Sequence, residues 1–142
     1  MQPEPTLAQL LGAARRWFDE ALIAGLARAG AAPVSATQVG LFAVLDPDGT
    51  TVSELARRMG VTRQTAHQAV QALTRLGLLE QAPDPSSGRQ RLVRRTAEGE
   101  RAHRTAVGIL RKAETTLARR IGRDPVHALR AALQSDWGRP PS

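Results

Sequence analysis

Residues 52–79 read VSELARRMGVTRQTAHQAVQALTRLGLL, and the spacing of their apolar side chains decides the fold. Leu55, Ala56 and Met59 form one short stripe, Gly60 and Val61 interrupt it, and Ala66, Ala69, Val70, Leu73 and Leu76 form a second. Both stripes follow the three-and-four repeat of a helix face. Thr51 with Glu54 reads as a capping box at the head of the first helix, while Thr62 caps a second that ends at Gly77. Two short helices joined by a tight glycine-containing turn make a helix-turn-helix.

Downstream, Leu78 and Leu79 lead into an extended stretch that turns at Pro83-Asp84-Pro85-Ser86-Ser87-Gly88 and returns through Leu92-Val93-Arg94-Arg95. This is a hairpin with a long polar tip. An isolated hairpin is marginal in water, so it must pack on the preceding helices as a wing. Thr96 then caps a long helix with Ala102, Ala106, Leu110, Ala113, Leu117 and Ile121 on one side. Asp124-Pro125 reads as the cap and first turn of a last helix carrying Val126, Leu129, Ala132 and Leu133, and Trp137 to Ser142 as a loose tail.

Upstream, Thr6 and Gln9 form a capping box ahead of apolar positions from Leu7 to Leu26, including Trp17, Phe18 and Leu22, which gives a helix over 7–28. A second box, Ser35 and Gln38, opens a shorter helix with Val39, Phe42, Ala43 and Leu45 turned inward, and Asp46-Pro47-Asp48-Gly49 is a turn. The fold class is mainly α: a winged helix-turn-helix with a two-stranded β wing and flanking dimerisation helices. The 142 residues form a single winged-helix domain, with 34–96 as the winged helix-turn-helix unit. The outer helices, 7–29 and 97–135, carry more apolar surface than one small module can cover and call for a second copy.

The formal charge is +7, with twenty basic residues against thirteen acidic ones, so anionic partners are expected. From Thr51 to Arg95 eight arginines stand against three acids, Glu54, Glu80 and Asp84. The outward face of the helix after Thr62 presents Arg63, Gln64, His67, Gln68, Gln71 and Arg75, all able to hydrogen-bond and none acidic. Arg can pair with guanine and Gln with adenine in the major groove. An ordinary solvated face would carry some Asp or Glu, so the pattern favours DNA over its rival, a winged-helix protein-interaction module without DNA binding.

The run from Val52 to Leu79 resembles the MarR family of bacterial regulators, and the order of elements from about Leu7 to Leu133 is similar to that family's. The resemblance implies a homodimer on a pseudo-palindromic stretch of double-stranded DNA, acting as a repressor, with activation as the alternative. It implies base or phosphate contacts from Thr62, Arg63, Gln64, Thr65, His67 and Gln68. At the wing it aligns Asp84 with an Asp that braces the loop and Arg89 with an Arg that enters the minor groove; Ser87 stands where the family often has a second acid, and Arg91 is an alternative to Arg89. Many relatives bind a small aromatic or anionic effector between the dimer helices and the DNA-binding unit. Arg16, Trp17 and Phe42 are the candidate ligand residues here, with core and dimer packing as the other reading of the aromatic pair.

Other classes find little support. The lack of cysteine excludes disulfides and thiolate metal sites. His67, His103 and His127 have no ligand spacing, so no metal or cofactor is expected, and no carboxylate, His or nucleophile constellation suggests an enzyme. No run is long and apolar enough for a membrane span, and the Met1-Gln2-Pro3-Glu4 start does not read as a leader, so a cytoplasmic location is expected.

Overall fold

Five of the six helices begin where a Ser or Thr hydroxyl accepts the amide hydrogen of the residue three positions on: Thr6, Ser35, Thr51, Thr62 and Thr96. Each satisfies a backbone donor that the helix itself leaves free. In the computed structural model, which describes residues 1–142, the order is α1 (Leu7–Arg28), α2 (Ala36–Val44), α3 (Val52–Met59), α4 (Arg63–Arg75), β1 (Leu79–Pro83), β2 (Arg91–Arg95), α5 (Ala97–Ile121) and α6 (Arg123–Gln134). The strands are antiparallel, with Leu79 opposite Arg95 and Pro83 opposite Arg91. Thr50 bridges to Val93 through two backbone hydrogen bonds of 2.9 Å, which fastens the hairpin to the loop before α3. The fold is thus the mainly helical winged arrangement that the sequence suggested.

The core lies under α4. Leu41 and Leu45 from the α2 end, Leu55 from α3, Ala69, Val70 and Leu73 from α4, Leu79 and Val93 from the strands form one buried cluster. Burying a Leu or Val side chain is worth about 1.5–3 kcal/mol, so this cluster holds α4 and the wing in one fixed relation. The first turn of α5 locks onto the same unit: Thr96 donates its hydroxyl to Gly77 O at 2.6 Å and its amide to Leu78 O at 3.1 Å. Gly99 lies so close to Leu78 O that a Cβ would collide with it.

Several local expectations need correction. Within α2 only Leu41 is buried, and its cap Leu45 is buried as expected, while Val39 and Phe42 are half-buried and Ala43 is exposed, because the helix turns its other side to a cavity. Leu76 is 42% exposed, since α4 ends at Arg75 and its cap residue sits beyond the packed stripe. Thr51 caps α3, but Glu54 does not return the bond; its carboxylate is drawn to Arg57 and Arg58 instead. Helix α6 starts at Arg123 with Gly122 as its cap, which places Asp124 inside the first turn rather than at the cap, with Pro125 in the first turn as expected. Proline is tolerated there because first-turn amides lack helical partners. Trp137 is tied back, its indole Nε1 donating to Ala132 O at 2.9 Å.

The outer helices are poorly covered. Only Leu22 and Gly25 of α1, Gly99 of α5 and no residue of α6 are buried, and Leu7, Leu10, Ile121, Leu129 and Leu133 are exposed. No helix is long and apolar enough to cross a membrane.

Candidate nucleic-acid interface

Helix α4 buries Ala66, Ala69, Val70 and Leu73 and so turns the opposite side outward. Arg63, Gln64, His67, Gln68, Gln71 and Arg75 are all exposed on it. At its head, Thr62 accepts from the Thr65 amide at 3.1 Å, and the two hydroxyls lie 2.9 Å apart. Thr62 is exposed and Thr65 half-buried, so both hydroxyls serve the cap and Thr62 has the more open approach.

Ion pairing divides the eight arginines between Thr51 and Arg95 into two sets. Arg57 bonds Glu54, Arg58 spans Glu54 and Asp46, Arg94 bonds Glu80 at 3.0 Å, and Arg95 lies 3.5 Å from Glu100. Hydrogen bonds first from Arg57 and then from Arg58 hold the Glu54 carboxyl down at about 2, and the Arg58 hydrogen bond lowers Asp46 as well. Arg63, Arg75, Arg89 and Arg91 have no carboxylate partner. Those four sit on α4 and on the wing, so the uncompensated positive charge of this segment is where a groove-binding protein would need it.

The wing tip is built around Asp84. Its carboxylate accepts from the Ser86 amide at 2.9 Å and the Ser86 hydroxyl at 2.8 Å, and these bonds, the backbone one foremost, lower its pKa. The Asp84 amide donates to Gln90 O at 3.1 Å and closes the loop. Ser87 contributes a long bond, its hydroxyl accepting from the Arg89 amide at 3.5 Å. Arg89 and Arg91 are both exposed.

A cavity of about 900 Å³ lies between α1, α2 and α5. Phe42 lines it, as do Phe18, Arg15, Arg101 and His103. Arg16 and Trp17 do not; each helical residue rotates by about 100°, so the face that reaches the cavity belongs to their neighbours. Trp17 packs edge-on against Phe18, with ring centroids 4.9 Å apart. Burial, and after it the nearby Arg95 charge, pushes the His103 pKa down. Sequence patterning could not find Arg101 and His103, because it gives a helix's face but not which neighbour leaves a gap beside it. No group of three or more His, Asp or Glu side chains converges as a metal-binding set.

Residues 32–90 match the family model described as MarR family. No curated protein matches the chain. Among solved structures, apo MarR from E. coli is 19% identical with a TM-score of 0.76, over 93% of this chain and 97% of that one. The transcriptional repressor CouR bound to a 23-mer DNA duplex is 24% identical with a TM-score of 0.71, over 90% of this chain and 89% of its own. NadR in complex with 4-hydroxyphenylacetate is 17% identical with a TM-score of 0.72, over 94% and 93%. These likenesses establish the fold.

Proposed function

We propose that this chain, which has the fold and the central segment of the MarR family of transcriptional regulators, binds duplex DNA as a homodimer and represses transcription by occluding a promoter. The observation that carries this reading is the location of the unpaired arginines: two on the acid-free face of α4 and two on the wing. In this reading residues 34–96 form the DNA-binding unit, and the helices within 7–29 and 97–135 make the dimer. Thr62, Arg63, Gln64, Thr65, His67 and Gln68 face the major groove, while Arg89 or Arg91 enters the flanking minor groove. The exposed leucines of α1 and α6 supply the apolar surface for a second copy. A small aromatic or anionic molecule seated in the cavity releases the DNA, a role suggested by the arginines on its wall and by the aromatic acid that NadR holds. The protein carries out no chemistry of its own and works in the cytoplasm.

Selection of bound fragments from the source genome tests the proposal. The expected product is a pseudo-palindrome with half-sites about ten base pairs apart, one helical turn, as two symmetry-related recognition helices require. Recovery of unrelated fragments, at the level of bulk DNA, would overturn it in favour of a protein-docking module.

A further inference from the structure

Arg95 ends β2 at the junction between the wing and α5, and its side chain is only 6% exposed. Its Nη2 donates to Phe42 O at 3.0 Å and reaches Leu45 O at 3.4 Å, both acceptors at the C-terminal end of α2. Carbonyls in a last helical turn lack partners within the helix, and a cation there also meets the negative end of the helix dipole. Arg95 therefore caps α2 from the end of β2. Its guanidinium carbon stands 5.6 Å from the centre of the Phe42 ring.

The compensation is incomplete. The nearest carboxylate, Glu100, is 3.5 Å away and half-exposed, and the buried Nε has no partner at all. A buried, imperfectly paired cation is costly to stability, and an apolar side chain opposite Leu79 would join the core without that cost. Filling the core is thus a poor reason for arginine at this position. Phe42 supplies a better one, because its carbonyl holds Arg95 while its side chain lines the cavity between α1, α2 and α5.

We infer that Arg95 is a positioning residue that ties the base of the wing to the last turn of α2, so that a displacement of Phe42 from the cavity side reaches the wing through this guanidinium. The consequence for DNA rests on the function proposed above; the mechanical link does not.

Hydrogen–deuterium exchange on the full chain separates the two, using Phe42→Leu, Arg95→Met and the double variant. Arg95→Met is expected to speed amide exchange in residues 79–82 and 91–95 roughly tenfold, the order expected for losing a charge-assisted hydrogen bond, while Phe42→Leu, which keeps the carbonyl and removes only the ring beside the guanidinium, should speed it less, both with little change in α4. The double variant should exchange no faster than Arg95→Met alone, because Phe42 acts through Arg95. Arg95→Lys keeps the charge without the planar fork; it guards against a misfolded Met variant and should give an intermediate rate. Equal acceleration in α4 and the wing, or additive effects of the two changes, would overturn the inference by showing general loosening. Operator affinity is read in parallel. Failure of the unaltered protein to bind duplex DNA would sink the proposed function alone and leave the exchange result to judge the link.

Discussion

Arginine 63 illustrates what one residue in this fold can decide. It stands exposed at the start of α4 with no carboxylate to hold it, so Arg63→Ala should cost about 1–3 kcal/mol of discrimination at one base pair and flatten sequence preference there. Competition binding with single-base operator variants measures this. Glu54 makes a different prediction. Its pKa falls from an ordinary 4.5 to about 2 because Arg57 and Arg58 bond its ionised form. A depressed carboxyl stabilises the fold fully above its unfolded value and loses that contribution as pH falls from about 4.5 toward 2. Thermal melts of the Glu54→Gln variant should therefore show a shallower acid-side decline than the parent, and the difference should shrink in high salt because the groups are at the surface. The outward identity of α4 was legible in the sequence, since a helical period with four buried positions leaves little choice about the rest. Which arginines are neutralised was not legible, because partners such as Arg94 and Glu80 meet only when the two strands pair.

At the scale of elements, capping chemistry made the helix starts readable, and the failures fall where packing overrides local preference. Asp124 has the residue type of a cap, yet Gly122 ends α5 and heads α6 at once, so the helix begins before the aspartate. In α2, apolar periodicity could not tell Leu41, which enters the core, from Phe42, which faces the cavity. Two glycines of α5 make a paired test of how tightly that helix is docked. Gly108 has no heavy atom within 4 Å of where a Cβ would stand, so Gly108→Ala should gain about 0.5–1 kcal/mol from helix propensity. Gly99 abuts the Leu78 carbonyl, so Gly99→Ala should have the opposite sign and lose about 1–3 kcal/mol, because backbone cannot move aside cheaply. Chemical denaturation of the two variants reads both; stabilisation by Gly99→Ala would mean that α5 is free of the wing's base.

For the whole molecule, the division between a well-buried centre and bare outer helices is the dominant feature. Leu129 and Leu133 of α6 are 42% and 47% exposed, and Leu7 of α1 is 75% exposed, a distribution suited to burial against a second chain. Leu129→Glu should shift sedimentation toward the monomer and weaken operator binding together, since two linked half-sites bind far more tightly than one. The excess of apolar surface was already visible in the helical stripes, whereas the cavity beneath α1 was not, because a void depends on how three helices meet. In the proposed function the unpaired arginines, and not the paired ones, meet DNA. The most direct measurement of this is the salt dependence of duplex binding for Arg63→Ala, Arg89→Ala, Arg91→Ala and Arg57→Ala. The slope of log affinity against log salt should fall by about one for each variant that loses a phosphate contact, and stay unchanged for Arg57→Ala, whose charge Glu54 already occupies. If Arg57→Ala changed the slope while the substitutions on α4 and the wing left both slope and base preference untouched, DNA would lie on another face of the protein.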